Sequence, residues 1–258
     1  MVYHVLNGDA LTDRFLATGI GGETVITREC LIDGSLNGDT LSEFYQTRAK
    51  YIKDTLNENE EAYYAGAVNE FEKLSTAAGH AEFNLWFGYD LFCRANMWFI
   101  LSLLNDLETT KEIFVVYPSY LGGDDVWKDF GSATPADLIT CYNQRVKFDD
   151  EDLALGNNLW IAYKNNDLDT LEKLSRQHSV CFPYLQEVCK AHIERFPKNN
   201  EKSRPEKVIE EIIQSGTRDF YSVFSKFFSR EGIYGFGDDQ LKQIYDKVML
   251  SHSDQGKA

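Results

Sequence analysis

Residues 83–104 read Phe-Asn-Leu-Trp-Phe-Gly-Tyr-Asp-Leu-Phe-Cys-Arg-Ala-Asn-Met-Trp-Phe-Ile-Leu-Ser-Leu-Leu. The apolar run Phe83 to Phe87 has the length of a buried strand and breaks at Gly88. After Asp90 comes a nearly all-apolar segment long enough for a helix buried on both faces. A buried strand passing into a buried helix is the unit of a sheet covered on both sides, and one carboxylate, Asp90, is left at the junction. In open sheets of this kind ligands collect at the carboxyl ends of the strands, so Asp90 marks both the fold and the place to look for a site.

Outward from this stretch the same alternation recurs. Tyr3–Leu6, Thr24–Thr27 and Ile113–Tyr117 read as further strands, and Leu41–Leu56, Glu60–Leu74 and Leu91–Leu104 have helical period. The expectation is an α/β, Rossmann-like, three-layer domain with a mainly parallel sheet over residues 1–124. Residues 125–258 read as a helical region, with a sub-boundary in the polar, proline-bounded segment 197–205. Three short helices and the turn Tyr234-Gly-Phe-Gly237 predict a winged-helix-like end.

The chain carries a formal charge of −15, and residues 1–150 alone hold 11 Lys/Arg against 24 Asp/Glu. Gripping a phosphate backbone needs clustered cations, so double-stranded nucleic acid is not expected as a partner. No apolar run approaches the roughly 20 residues of a membrane span, and the start of the chain reads as a strand rather than a leader. Five cysteines with no Cys-x-x-Cys pair suit reduced thiols in a soluble, cytoplasmic protein.

The candidate ligand-binding residues are Asn7, Gly8, Asp9, Arg28, Glu29, Arg48, Asp90 and Arg94. Asn7-Gly8-Asp9 follows the first strand, but the turn is too tight to wrap a pyrophosphate and is not Gly-x-Gly-x-x-Gly. Asp9 would hold a hydroxyl, a base edge or a metal, or else cap the following helix. Arg28 would neutralise a phosphate or carboxylate, or else pair with Asp9, Asp33 or Asp90. Arg48 reads as a second cation or a solvated helix charge. Asp90 is the strongest candidate, with Arg94 four residues on and able to reach it along the helix, and Asn96 as an alternative partner. His178, Cys181, Cys189 and His192 have a symmetric spacing that tempts a zinc reading, but Leu185, Val188, Cys189 and His192 share one helical stripe and read as core. No metal centre is predicted, and the sequence names no cofactor. His4, His80 and His252 have no Ser or Cys nucleophile beside them. The last helix opens on Asp238-Asp239, which suits packing or self-association better than reading DNA.

Taken together, Asn-Gly-Asp-Ala-Leu (7–11), Arg-Glu-Cys-Leu-Ile-Asp-Gly (28–34), Thr-Arg-Ala-Lys-Tyr (47–51) and Leu-Trp-Phe-x-x-Asp-Leu-Phe-Cys (85–93) form a pattern along the chain. With Ala-His-Ile-Glu-Arg-Phe-Pro (191–197) and Tyr-Gly-Phe-Gly-Asp (234–238), it resembles a bacterial family known as domain of unknown function 1835, in the subgroup with a helical C-terminal extension. The resemblance implies one coherent architecture in a cytoplasmic bacterial setting and adds weight to Asp9, Arg28, Glu29 and Asp90 without naming a ligand. The chain departs from the pattern at Gly88 and Tyr89, where the family is expected to carry an acid and a histidine.

The functional expectation is a small anionic ligand, phosphorylated or nucleotide-like, bound at the carboxyl ends of the strands, with a transferase or hydrolase reaction suiting carboxylates beside an arginine. The alternative is a non-enzymatic regulatory or interaction module whose polar cluster is structural and whose helices dock a partner or a second copy of the chain.

Overall fold

The structure is a computed structural model, and it describes residues 1–56, 59–119, 121, 123, 125–197, 199 and 201–255. Five strands form one sheet: β1 (Val2–Leu6), β2 (Glu23–Ile26), β3 (His80–Trp86), β4 (Thr110–Val116) and β5 (Val146–Lys147). Their order is β2-β1-β3-β4-β5; the first four run parallel, and β5 is antiparallel to β4. The α/β expectation holds, with a mixed edge that a two-residue strand could not announce in the sequence.

Side chains alternate along the strands with the period of two that a pleat imposes. Tyr3, Val5, Phe83, Leu85, Ile113 and Val115 enter a large core on one face, whereas Leu6, Trp86 and Val116 enter a smaller one on the other. The smaller core is closed by α1 (Thr12–Leu16) and α6 (Pro135–Asn143) through Phe15, Leu138 and Cys141. The larger face carries α2 (Leu41–Leu56), then α3 (Glu60–Tyr63) and α4 (Asn69–Ser75) joined by a π turn over Tyr64–Val68, then α5 (Leu91–Asn105).

Helix α5 accounts for the apolar stretch that follows Asp90. Eleven of its fifteen residues are buried, Arg94 and Asn96 among them, because the sheet lies on one side and further helices on the other. Helix α7 (Asp150–Lys164) packs on it at Gly156, where a Cβ would come within 2.6 Å of Leu101 Cδ1. Helices α8 (Leu168–Leu174) and α9 (Leu185–Ile193) follow, then α10 (Arg204–Gln214), α11 (Phe220–Glu231) and α12 (Asp238–Gln255).

Three expectations are corrected. The sheet does not stop at residue 124, because β5 lies beyond it, and one core runs from Tyr3 to Val248 across both regions. Among the described residues no strand follows β5 and none forms a wing; the turn before Gly235 is a 3₁₀ turn, Gly232–Tyr234. Lys198 and Asn200 of the predicted linker lie outside the described residues, but its end is fastened. Ser203 Oγ caps α10, and Arg204 pairs with Glu194 at 2.9 Å and Glu231 at 2.7 Å. No helix of the described residues is long and apolar enough to cross a membrane.

Because Leu101 is nearly inaccessible between α5 and α7, Leu101→Ala should cost about 2–5 kcal/mol of unfolding free energy. Urea titration would measure it; a cost below about 1 kcal/mol would mean that the two regions are not packed through this contact.

Candidate functional site

In the order β2-β1-β3-β4, the chain leaves β1 toward one edge of the sheet and β3 toward the other, which opens a crevice above their carboxyl ends. The turn after β1 is tight: Gly8 N donates to Leu6 O at 3.0 Å, and Thr27 N donates to the same carbonyl at 2.8 Å. Gly8 has φ +86°, a left-handed conformation that a Cβ would strain. This turn aims Asn7 inward. Its Nδ2 donates to Cys93 Sγ at 3.2 Å, and its Oδ1 accepts from Asn96 Nδ2 at 2.9 Å. Asn96 also donates to Glu29 O at 2.8 Å and accepts from Leu31 N at 3.3 Å. One buried amide on α5 therefore joins the chain leaving β1 to the chain leaving β2.

Asp90 ends the β3 junction and caps α5, its Oδ1 accepting from Cys93 N at 2.9 Å. Its carboxyl group is covered by backbone from the far end of the chain. Gly235 has φ +62°, and a Cβ there would lie 2.2 Å from Asp90 Oδ1, so the closure requires glycine at this position. Burial, reinforced by the charge of Asp129 and opposed by the Cys93 hydrogen bonds, pushes the Asp90 carboxyl up to about 6. Burial, with the Asp90 charge added, holds the Cys93 thiol well above its ordinary range, so Cys93 is a neutral donor or acceptor and not a ready nucleophile.

Beside Asp90 opens a cleft of about 450 Å³. Asn7, Phe92 and Cys93 wall it from the α/β layers, Trp127, Lys128, Asp129, Gly131 and Ser132 from the loop after β4, and Phe228 and Gly235 from the helical region. Lys128 makes no ion pair among the described residues and sits exposed at its edge. A separate small pocket of about 30 Å³, which shares Asn7, Cys93, Asp129 and Gly131 with the cleft, is lined by Arg14, whose guanidinium donates to the carbonyls of Ala10, Phe130, Gly131 and Ala133 and so fixes the loop to α1. A carboxyl group that titrates near neutrality, a second carboxylate, a cation and three aromatic rings can hold hydroxyl or amino groups, stack a flat group and move a proton.

The structure brings Asn7 and Asp90 to this cleft and disperses the other candidates. Gly8 shapes the turn without lining the cleft. Asp9 does not cap a helix. Its carboxylate forms a double hydrogen bond with Arg28, from Nε at 2.8 Å and Nη2 at 2.7 Å, which holds the carboxyl below its usual range. Arg28 also donates to Gly66 O in the π turn at 2.7 Å, so this cation is engaged away from Asp90. Glu29 and Arg48 form a wholly buried ion pair at 2.9 Å. Tyr63 donates to Glu29 at 2.6 Å, and Arg48 also donates to the carbonyls of Cys30 and Asp33. Arg48 is thus no solvated charge; it anchors the loop after β2.

Arg94 does not reach the Asp90 side chain. Only its backbone N meets Asp90 O, as one helical turn requires. Its guanidinium binds Tyr117 Oη and Pro183 O and lies over the Tyr117 ring, with no carboxylate partner among the described residues. At the departure from the family pattern, a Cβ on Gly88 would come 3.0 Å from both Asp90 Oδ2 and Cys93 Sγ, so an acid there would crowd this pocket. Tyr89 stacks on Tyr117 at 4.6 Å.

Cys181 and Cys189 are core residues, and His192 packs between Tyr163 and Phe196. Among the described residues no His, Cys, Asp and Glu side chains gather as a metal site. His4 is buried, accepting from Trp86 Nε1 and facing Gly21 O; the side chain of His252 lies outside the described residues. Sequence reasoning did not single out Arg14, Trp127, Lys128, Asp129 or Phe228. The loop residues have no periodic pattern, and α11 meets the cleft only through tertiary packing. Gly235 stood inside a quoted motif, but its contact with Asp90 spans 145 positions of the chain.

Two outcomes are expected. Removing one partner of the Glu29–Arg48 pair strands a buried charge, so Arg48→Met should cost about 3–5 kcal/mol in urea unfolding, and a cost near zero would show the pair to be dispensable. The second concerns Asp90, whose folded pKa of about 6 exceeds the ordinary 3.8. The proton it retains stabilises the fold fully below 3.8, and this stabilisation is lost as pH rises through about 6. Asp90→Asn should therefore be more stable than wild type by about 1–3 kcal/mol at about pH 8, with the gain shrinking toward about pH 4. A variant less stable than wild type at the higher pH would contradict the dry carboxylate. No protein-family model, no curated protein and no solved structure matches the chain.

Proposed function

We propose that the cleft between the carboxyl ends of β1 and β3 binds a small nucleotide-like ligand. Its hydroxyl or amino groups meet Asp90 and Asp129, its flat part lies against Trp127, Phe92 or Phe228, and its anionic group meets Lys128. The observation that carries this reading is the position of Asp90: at the switch point of the sheet, titrating near neutrality, and walled by both regions of the chain. Such a carboxyl group can accept and return a proton, which suits a transferase or hydrolase acting on a phosphoryl or glycosyl group. The cation in this reading is Lys128, since Arg28 is held by Asp9 and Gly66.

Membership of the domain of unknown function 1835 family, and a cytoplasmic bacterial setting, belong to the same proposal. The quoted motifs and five free cysteines support them.

The test is thermal unfolding of the full chain with adenosine, AMP, ATP and ribose 5-phosphate. A ligand at about 100 times its dissociation constant adds about 2.7 kcal/mol, or roughly 5–10 °C for a chain of this size. Asp90→Asn and Trp127→Ala should abolish the shift, and Lys128→Ala should remove the preference for phosphorylated compounds. If none of the four compounds shifts the transition, or if all three variants respond like wild type, the reading fails and an interaction module becomes the better account. Binding that survives Asp90→Asn but is lost in Trp127→Ala removes Asp90 from the ligand's contacts and overturns its part in the reading.

A further inference from the structure

A second pocket of about 350 Å³ lies between the loop after β2 and helices α7 and α9, and it shares no lining residue with the cleft at Asp90. Its floor holds His192, only 4% exposed, and neither ring nitrogen has a hydrogen-bond partner in the structure. A buried imidazole left without partners is costly, and the ordinary resolution is a polar group supplied from outside the chain. Two cations line the same pocket, Arg195 near the imidazole and Lys164 toward the loop after β2. Lys164 Nζ donates to Gly38 O, and Arg195 donates to Ile32 O at 2.8 Å. Neither has a carboxylate within ion-pairing distance among the described residues, so both retain N–H donors. The lining includes one carboxylate, Asp33, and two aromatic rings, Tyr163 and Phe196.

We propose that this pocket is a separate site for a small organic anion, with a carboxylate or phosphate group on Arg195 and Lys164 and a neighbouring polar atom on the His192 ring. The charge balance selects this class. Two cations against one carboxylate make a locally positive recess on a chain of net charge −15, which attracts a compact anion while the surrounding surface repels an extended polyanion. The rings of Tyr163 and Phe196 favour an organic body over a bare ion. His192 stays neutral, because burial, aided by the Arg195 charge, lowers its pKa to about 3; it therefore presents one N–H donor and one acceptor nitrogen.

The experiment is a titration of the 258-residue chain with succinate and, separately, with inorganic phosphate, at ionic strength held constant with chloride. The readout is the nitrogen and proton shifts of the His192 ring by NMR, with the His4 ring, tied to Gly21 and Trp86, as internal control. Saturable movement of His192 with a dissociation constant of about 1 mM or tighter is expected for at least one anion. Movement with succinate alone assigns a carboxylate ligand and with phosphate alone a phosphate ester. Lys164→Gln, at a half-buried position, should weaken binding about tenfold with the fold intact; Arg195→Gln should weaken it further, with native near-ultraviolet circular dichroism as the check that it folds. His192 shifts that stay still with both anions, or that move identically in wild type and Lys164→Gln, overturn the site.

Discussion

The Glu29–Arg48 pair, wholly withdrawn from water, is the constraint on which the strand-end architecture depends. A charge pair in such a place costs several kcal/mol of desolvation per ion unless its geometry and further hydrogen bonds repay it. Here Tyr63 donates to Glu29, and Arg48 spends its remaining donors on loop carbonyls. The loop after β2 is thereby locked to α2 and α3. Asn96 continues the same network, tying Glu29 and Leu31 to Asn7 and so to Cys93 and the Asp90 turn. Polar residues that looked like ligand contacts turn out to hold the frame around the cleft.

That frame explains how cations are distributed. Arg28, Arg48 and Arg94 are all engaged by protein groups: a carboxylate at the surface, a carboxylate in the interior, and a phenol with a carbonyl. Lys128, Lys164 and Arg195, by contrast, have no ion-pair partner among the described residues, and each lines a pocket. In a chain this acidic, a positive group without a paired carboxylate shapes the local field more than one already neutralised.

The helical region walls the cleft and is not an appendage. Gly235 closes over the Asp90 carboxyl, Phe228 forms one wall, and the absence of a side chain at 235 is what allows the approach. The elevated Asp90 pKa follows from this coverage, since burial is its largest cause. An isolated α/β layer would leave Asp90 wetter and closer to an ordinary carboxylate.

Much of the fold was legible because its signals are local. The runs Tyr3–Leu6 and Phe83–Phe87, the helical periods of α2 and α5, and the glycine-marked turns depend on neighbours within a few positions. Asp90 was legible for the same reason: strand, break and cap follow one another in eight residues. Strand β5 was not, because two residues carry no period, and neither was the π turn, whose sequence suits an ordinary helix. The Arg94 side chain could not be placed either, since helical spacing permits a reach toward Asp90 while the buried Tyr117 hydroxyl, which only packing supplies, holds it elsewhere. The sequence by itself determined a parallel α/β sheet with a carboxylate at a strand tip, since pattern and propensity act along the chain. Only the tertiary structure decided which charges neutralise one another and which face a pocket, because pairing depends on distances between residues that the chain order leaves free.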